Sequence, residues 1–136
     1  MRKTERFVRL TYSMMQSQAW RSLDGNARAI YVELAMLYYG NNNGRIGLSV
    51  RQAARAIQVS RATASRSMAR LEERGFIVAM TRGRFKCKRH ATEWRLTEFN
   101  CDVTGQPASR DFEDWITADI LPLHHRGESA ERGTDG

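Results

Sequence analysis

Residues 49–77 read SVRQAARAIQVSRATASRSMARLEERGFI, and their punctuation decides the fold. Ser49-x-x-Gln52 is a capping box: the serine oxygen accepts the Gln52 N–H while the glutamine side chain reaches back to the Ser49 backbone. The helix it opens is short and turns Ala53, Ala54 and Ile57 inward, and the small Ala54 lets another helix cross closely. Gln58-Val59 is a turn, and Ser60 caps a second helix. At about 100° per residue, Ala64, Met68 and Leu71 fall on one side of it, with Ala62 and Arg66 opposite and Ser65 and Arg70 flanking them. Glu72-Glu73-Arg74 is a polar last turn, and Gly75 suits the left-handed residue that ends a helix.

Moving upstream, Arg45-Ile46-Gly47-Leu48 alternates as a short strand. Ala27–Tyr39 carries Ile30, Leu34 and Leu37 at helical spacing, flanked by Tyr31, Ala35 and Tyr38. Gly40 fits its C-terminal stop, and Asn41-Asn42-Asn43-Gly44 is loop. Asp24 or Asn26 can cap that helix. An earlier helix is expected from Ser13 to Trp20, with Ser13 as its cap. Phe7–Leu10 reads as an extended segment, and residues 1–6 as a flexible basic arm.

Downstream, Phe76–Met80 and Thr92–Thr97 read as strands joined by a basic tip at residues 82–89. Strand, helix, turn, helix and hairpin make a winged helix-turn-helix over residues 7–99, mainly α with a small β-hairpin. Residues 100–123 then hold a loop and an acidic amphipathic helix, Ser109–Leu121, whose Phe112, Trp115, Ile116 and Ile120 share a face before Pro122 ends it. Residues 124–136 are polar and Gly-rich, the composition of a disordered tail.

The charge is distributed to match. Residues 1–48 hold seven Lys/Arg against three Asp/Glu, residues 49–97 twelve against three, and residues 98–136 three against nine, which together give the net +7. Positive charge that peaks on the helix pair and hairpin points to a polyanionic partner rather than an evenly solvated surface. No apolar run reaches the roughly 18 residues of a membrane span, and MRKTERFVRL lacks a signal-peptide core, so a cytoplasmic, nucleoid-associated protein is expected. Cys87-x-x-His90 has half of a zinc spacing and Cys101 is a conceivable third ligand, but nothing completes the set, so reduced thiols and no metal or other cofactor are expected. There is no phosphate loop, no paired apolar carboxylates and no HExxH, and an enzyme is not expected.

The helix pair suits double-stranded DNA. A helix entering the major groove needs short side chains at its leading edge and longer donors beyond. Ala62 and Ser65 meet the first requirement, and Arg61 and Arg66 the second, since arginine can hold guanine O6 and N7 with two parallel bonds. Thr63, Ser67 and Arg70 are expected near phosphates, as are Ser49, Arg51 and Gln52 at the start of the first helix. Arg82, Arg84, Lys86, Lys88 and Arg89 would carry the wing to the backbone or minor groove.

SRATASRSMARLEERGFI, residues 60–77, resembles the reading head of MarR- and GntR-type bacterial regulators. The wider run through AWRSLDGNARAIYVELA, NNNGRIGLSV and HATEWRLTEFNCDVTGQPA is similar to small winged-helix proteins of bacterial plasmids and integrated elements, including repressors of conjugal transfer. The resemblance implies Arg61, Ala62, Ser65 and Arg66 as groove-facing positions and the 82–89 hairpin as wing. Gln58 departs from it, since that turn often has glycine and a glutamine takes positive φ only at a cost. The MarR ligand pocket does not carry over, because the long paired dimerisation helices are missing here. The expected function is a sequence-specific transcriptional repressor, binding as a homodimer through Ala27–Tyr39 or the 112–120 helix. The alternative is a replication or excision accessory protein that recruits a partner through Phe112, Trp115 and Ile116.

Overall fold

The computed structural model describes residues 5–81 and 92–117. Its helices are α1 Tyr12–Met15, α2 Gln18–Arg21, α3 Gly25–Met36, α4 Val50–Ile57 and α5 Arg61–Glu73, with a 3₁₀ turn at Asp111–Asp114. Strands β1 Ile46–Gly47, β2 Ile77–Thr81 and β3 Glu93–Leu96 form one antiparallel sheet in the order β1-β3-β2. Mainly helical, with a small three-stranded sheet whose β1 precedes the helix pair and whose β2 and β3 follow it, this is a winged helix-turn-helix. Trp94 on the central strand faces Ile46 on one side and Ala79 on the other, and a bulge between Ala79 and Thr81 precedes the segment that joins β2 to β3. Residues 82–91, with the expected wing tip, lie outside the described residues, as do residues 118–136.

The core is where α3, α4 and α5 meet the sheet. Ile30, Leu34, Ala53, Ala64 and Leu71 are fully buried between the helices, against Ile46, Ile77 and Leu96 from the strands. The buried Ala53 and Ala64 are small enough for helix axes to approach closely in ridge-in-groove packing. Behind them Trp20, Tyr31 and Phe76 meet edge to face with centroids 5.7–5.9 Å apart, the geometry that aromatic quadrupoles prefer. Burial, then the nearby Glu98 carboxylate, pushes the Tyr31 hydroxyl well above its ordinary range, so it stays neutral at every physiological pH.

Several local expectations are corrected. The helix expected over Ser13–Trp20 is split into α1 and α2, because Ser17 donates to the Met14 carbonyl at 2.6 Å and accepts the Trp20 N–H at 3.1 Å. A serine that bonds the backbone on both sides competes with continuous helix. The cap of α1 is Thr11, not Ser13. Helix α3 is capped by Asp24 and stops at Met36, short of the expected Tyr39. The Asn42 amide ends it, donating to the Leu37 carbonyl and accepting the Tyr39 N–H. Gly40 does take positive φ, but in the loop beyond.

The expected amphipathic helix over Ser109–Leu121 is absent from its described part. Residues 98–117 form a strap containing a single 3₁₀ turn. Arg110 begins the turn in the left-handed region, at φ 46°, while its guanidinium bonds Glu98, Glu113 and Ser13. The hydrogen bond to Glu113 first, and the Glu98 charge after it, hold that guanidinium more firmly protonated than usual against the effect of burial. Phe112 drops into the core and stacks on Phe76 at 5.0 Å, so it belongs to the domain and offers no recruiting surface. Asn43, expected only as loop, is fully buried. Its amide donates to the carbonyls of Leu96, Phe99 and Asn100 and accepts the Leu96 N–H, tying the loop before β1 to the end of β3.

Candidate nucleic-acid interface

The helix pair is built as its caps predict. Both bonds of the capping box form, Gln52 N–H to Ser49 Oγ at 3.1 Å and Ser49 N–H to Gln52 Oε1 at 2.9 Å. At the turn Gln58 has φ 60° and ψ 52°, so the chain accepts the left-handed cost at a non-glycine residue. Ser60 then caps α5 by accepting the Thr63 N–H. At the far end the Phe76 N–H bonds the Leu71 carbonyl and the Gly75 N–H bonds that of Glu72, which is the Schellman closure, with Gly75 at φ +87°. Both ends of α5 are therefore fixed by local hydrogen bonds, and its rotation by what it buries.

That rotation sorts the expected site residues. Arg61, Ala62, Ser65, Arg66 and Arg70 are exposed on α5, and Thr63 is half-buried. Arg51 and Gln52 are exposed on the first turn of α4, beside the half-buried Ser49. Ser67 is corrected: it is 1% exposed and cannot reach a phosphate. With Ala64, Met68 and Leu71 it completes the i, i+3, i+4, i+7 stripe that faces the core, a position its polar side chain disguises in the sequence. Arg82, Arg84, Lys86, Lys88 and Arg89 lie outside the described residues, as do Cys87 and His90. Cys101 is buried under the loop that Asn43 anchors and accepts the Thr104 N–H. No group of residues that could hold a metal ion occurs among the described residues.

The four arginines that follow Ser60 on and just beyond α5 separate by partner. Arg61 makes no ion pair with another described residue, and Arg66 only donates to the Thr63 hydroxyl, which in turn bonds Ser60. Arg70 lies 3.4 Å from the Asp24 carboxylate, with both side chains about half exposed, so a phosphate would compete with that pair. Arg74 is structural. It donates to Ser22 Oγ at 2.6 Å, pairs with Glu73 and lies 4.7 Å over the Trp115 ring. Sequence reading missed Arg55, which is exposed one turn after Arg51 on α4 and makes no ion pair with another described residue. The i, i+4 spacing of the two arginines was the available signal.

Arg51, Arg55, Arg61 and Arg66 are thus exposed with no ion pair among the described residues, and the exposed Ala62 and Ser65 beside Arg61 and Arg66 on α5 are short. That combination can approach a polyanion closely and donate paired hydrogen bonds to it.

Residues 31–82 match the model of the MarR family. They run from the middle of α3 through β2 and so contain the whole helix pair. No curated protein and no solved structure matches the chain. No helix among the described residues is long and apolar enough to cross a membrane.

Proposed function

We propose that this protein is a sequence-specific double-stranded DNA-binding transcriptional regulator that acts as a repressor in the bacterial nucleoid. One observation carries the reading: the outward face of α5 presents Arg61, Ala62, Ser65 and Arg66 to solvent while Ala64, Ser67, Met68 and Leu71 lock its inward face. The match of residues 31–82 to the MarR family, whose members are transcription regulators, supports it. In this reading Arg61 and Arg66 reach base edges in the major groove, and Ala62 and Ser65 let the helix backbone come close. Arg51, Arg55, Arg70 and the α4 N-terminus with Ser49, Gln52 and Thr63 hold phosphates, and Arg82, Arg84, Lys86, Lys88 and Arg89 extend the contact from the wing. One winged helix reads few base pairs, so a homodimer gains specificity by reading two half-sites.

The test is selection of bound sequences from a random duplex pool, followed by a reporter driven by a promoter that contains the selected site. The expected result is an enriched inverted repeat and lower reporter output when the protein is present. A pool that enriches no sequence would refute specific reading. A bound promoter with raised output would refute repression alone.

A further inference from the structure

Two grooves lie side by side away from α4 and α5. The extended segment before α1 crosses the end of α3, leaving a groove of about 480 Å³ lined chiefly by Phe7, Arg9, Tyr38, Tyr39 and Phe99. A second groove, of about 350 Å³, opens beside it against Ala35 and Met36, and Phe7 lines both. Phe7 is 80% exposed, Tyr39 61% and Met36 47%, so three large, mainly apolar side chains are exposed around these grooves. The remainder of α3 is spent on the protein's own core: Ile30, Tyr31 and Leu34 are buried, and only its last turn and the residues beyond are available.

We infer that this face is the surface on which a second copy of the chain docks, a reading that rests on the homodimeric regulator proposed above. Two-fold symmetry makes an interface self-complementary, so one patch must supply both knob and socket. Here the knob, Phe7, sits between two sockets of its own patch. The same patch carries both charge signs, Glu5 beside Arg6 and Arg9, so the two-fold operation can bring carboxylate to guanidinium across the axis. The two arginines are already held in place, Arg6 4.8 Å over the Tyr39 ring and Arg9 5.2 Å over that of Phe99. A nucleic acid fits this patch less well, because Glu5 opposes it and the cations lie flat on rings. None of these residues belongs to α4 or α5, so a dimer made here does not bury its reading helices.

Sedimentation velocity of the full chain without DNA, over a range of protein concentrations, tests the inference. The wild type should show a reversible monomer–dimer equilibrium, and Phe7→Asp should raise the dimer Kd at least ~10-fold, while Ile116→Asp, on the strap, leaves it unchanged. At a protein concentration well below the wild-type dimer Kd, where both are monomeric, thermal melting of Phe7→Asp should match the wild type, since the side chain is 80% exposed, which keeps misfolding from imitating dissociation. A wild type that stays monomeric throughout, or a Phe7→Asp variant that pairs as tightly as the wild type, overturns the inference. A dimer sensitive to Phe7→Asp that selects no DNA sequence would sink the regulator reading and leave this interface standing.

Discussion

Arg66→Ala and Arg74→Ala remove the same charge from the helix-pair region and should fail in opposite ways. Arg66 is exposed and its one hydrogen bond, to Thr63 Oγ1 at 3.3 Å, is also exposed. Its loss should therefore change folding stability by no more than about 0.5 kcal/mol. If it grips a guanine, the variant loses about 1–3 kcal/mol of preference for its site, roughly 5- to 150-fold, while its affinity for random duplex falls much less. Arg74 is 17% exposed and makes a 2.6 Å charged bond to Ser22 and a ring contact with Trp115 at 4.7 Å. The first contributes about 1.5–3 kcal/mol and the second about 0.5–2 kcal/mol, and the exposed Glu73 pair adds little. Since both contacts share one side chain they do not sum fully, and a loss of about 2–4 kcal/mol is expected. Urea unfolding measures the stabilities, and competition binding against selected and random duplexes, well below the melting of either variant, measures the preference. If Arg74→Ala lost the preference while Arg66→Ala kept it, the assignment of reading and structural roles to these arginines would be wrong.

Asn43→Ala should cost about 2–4 kcal/mol, because it strands the buried Leu96 N–H and withdraws the donor from three carbonyls. Asn43→Asp should be worse at neutral pH, since it turns a carboxylate toward those carbonyls. Its pKa in the folded state must rise above the unfolded ~3.9, so this variant is most stable in acid and weakens as pH rises through the folded value, whereas the alanine variant shows no added pH slope. Urea midpoints across pH decide, and an aspartate variant as stable at neutral pH as the alanine one would refute the donor role. Ser67→Ala should raise stability by roughly 0.5 kcal/mol through helix propensity and leave the salt dependence of DNA binding untouched. A flatter salt slope for that variant would return Ser67 to the phosphates. Gln58→Gly relieves a left-handed residue at about 1–2 kcal/mol against a chain-entropy loss of roughly 0.5–1 kcal/mol, so the urea midpoint should rise modestly.

What the sequence disclosed and what it concealed divide by the range of the interactions. Ser49-x-x-Gln52, Ser60 and Gly75 are legible because each closes hydrogen bonds within a turn of its own position, so the helix pair could be drawn residue by residue. Ser67 was misplaced for a related reason: its polarity overruled its position, although the i, i+3, i+4 stripe already assigned it to the core. Asn43 could not be found this way, because its partners are Leu96, Phe99 and Asn100, brought to it only by the completed sheet.

The strap shows the same limit from the other side. Phe112, Trp115 and Ile116 do have helical spacing, but a helix there would compete with stacking Phe112 on Phe76 and with the Arg110 bonds to Glu98 and Glu113, and the long-range contacts prevail. Gly75 is where the two ranges meet. A Cβ at that position would lie 2.7 Å from the Asp111 carbonyl carbon, so the residue that ends α5 also opens the space in which the strap docks. Trp115 then donates to the Glu73 carboxylate at 3.0 Å and carries Arg74 on its ring, which ties the strap to the end of α5. A larger residue at 75 would therefore disturb two things at once, the termination of α5 and the seat of Phe112. Its effect on DNA binding should track the loss of folding stability, because neither contact lies on the outward face of the helix.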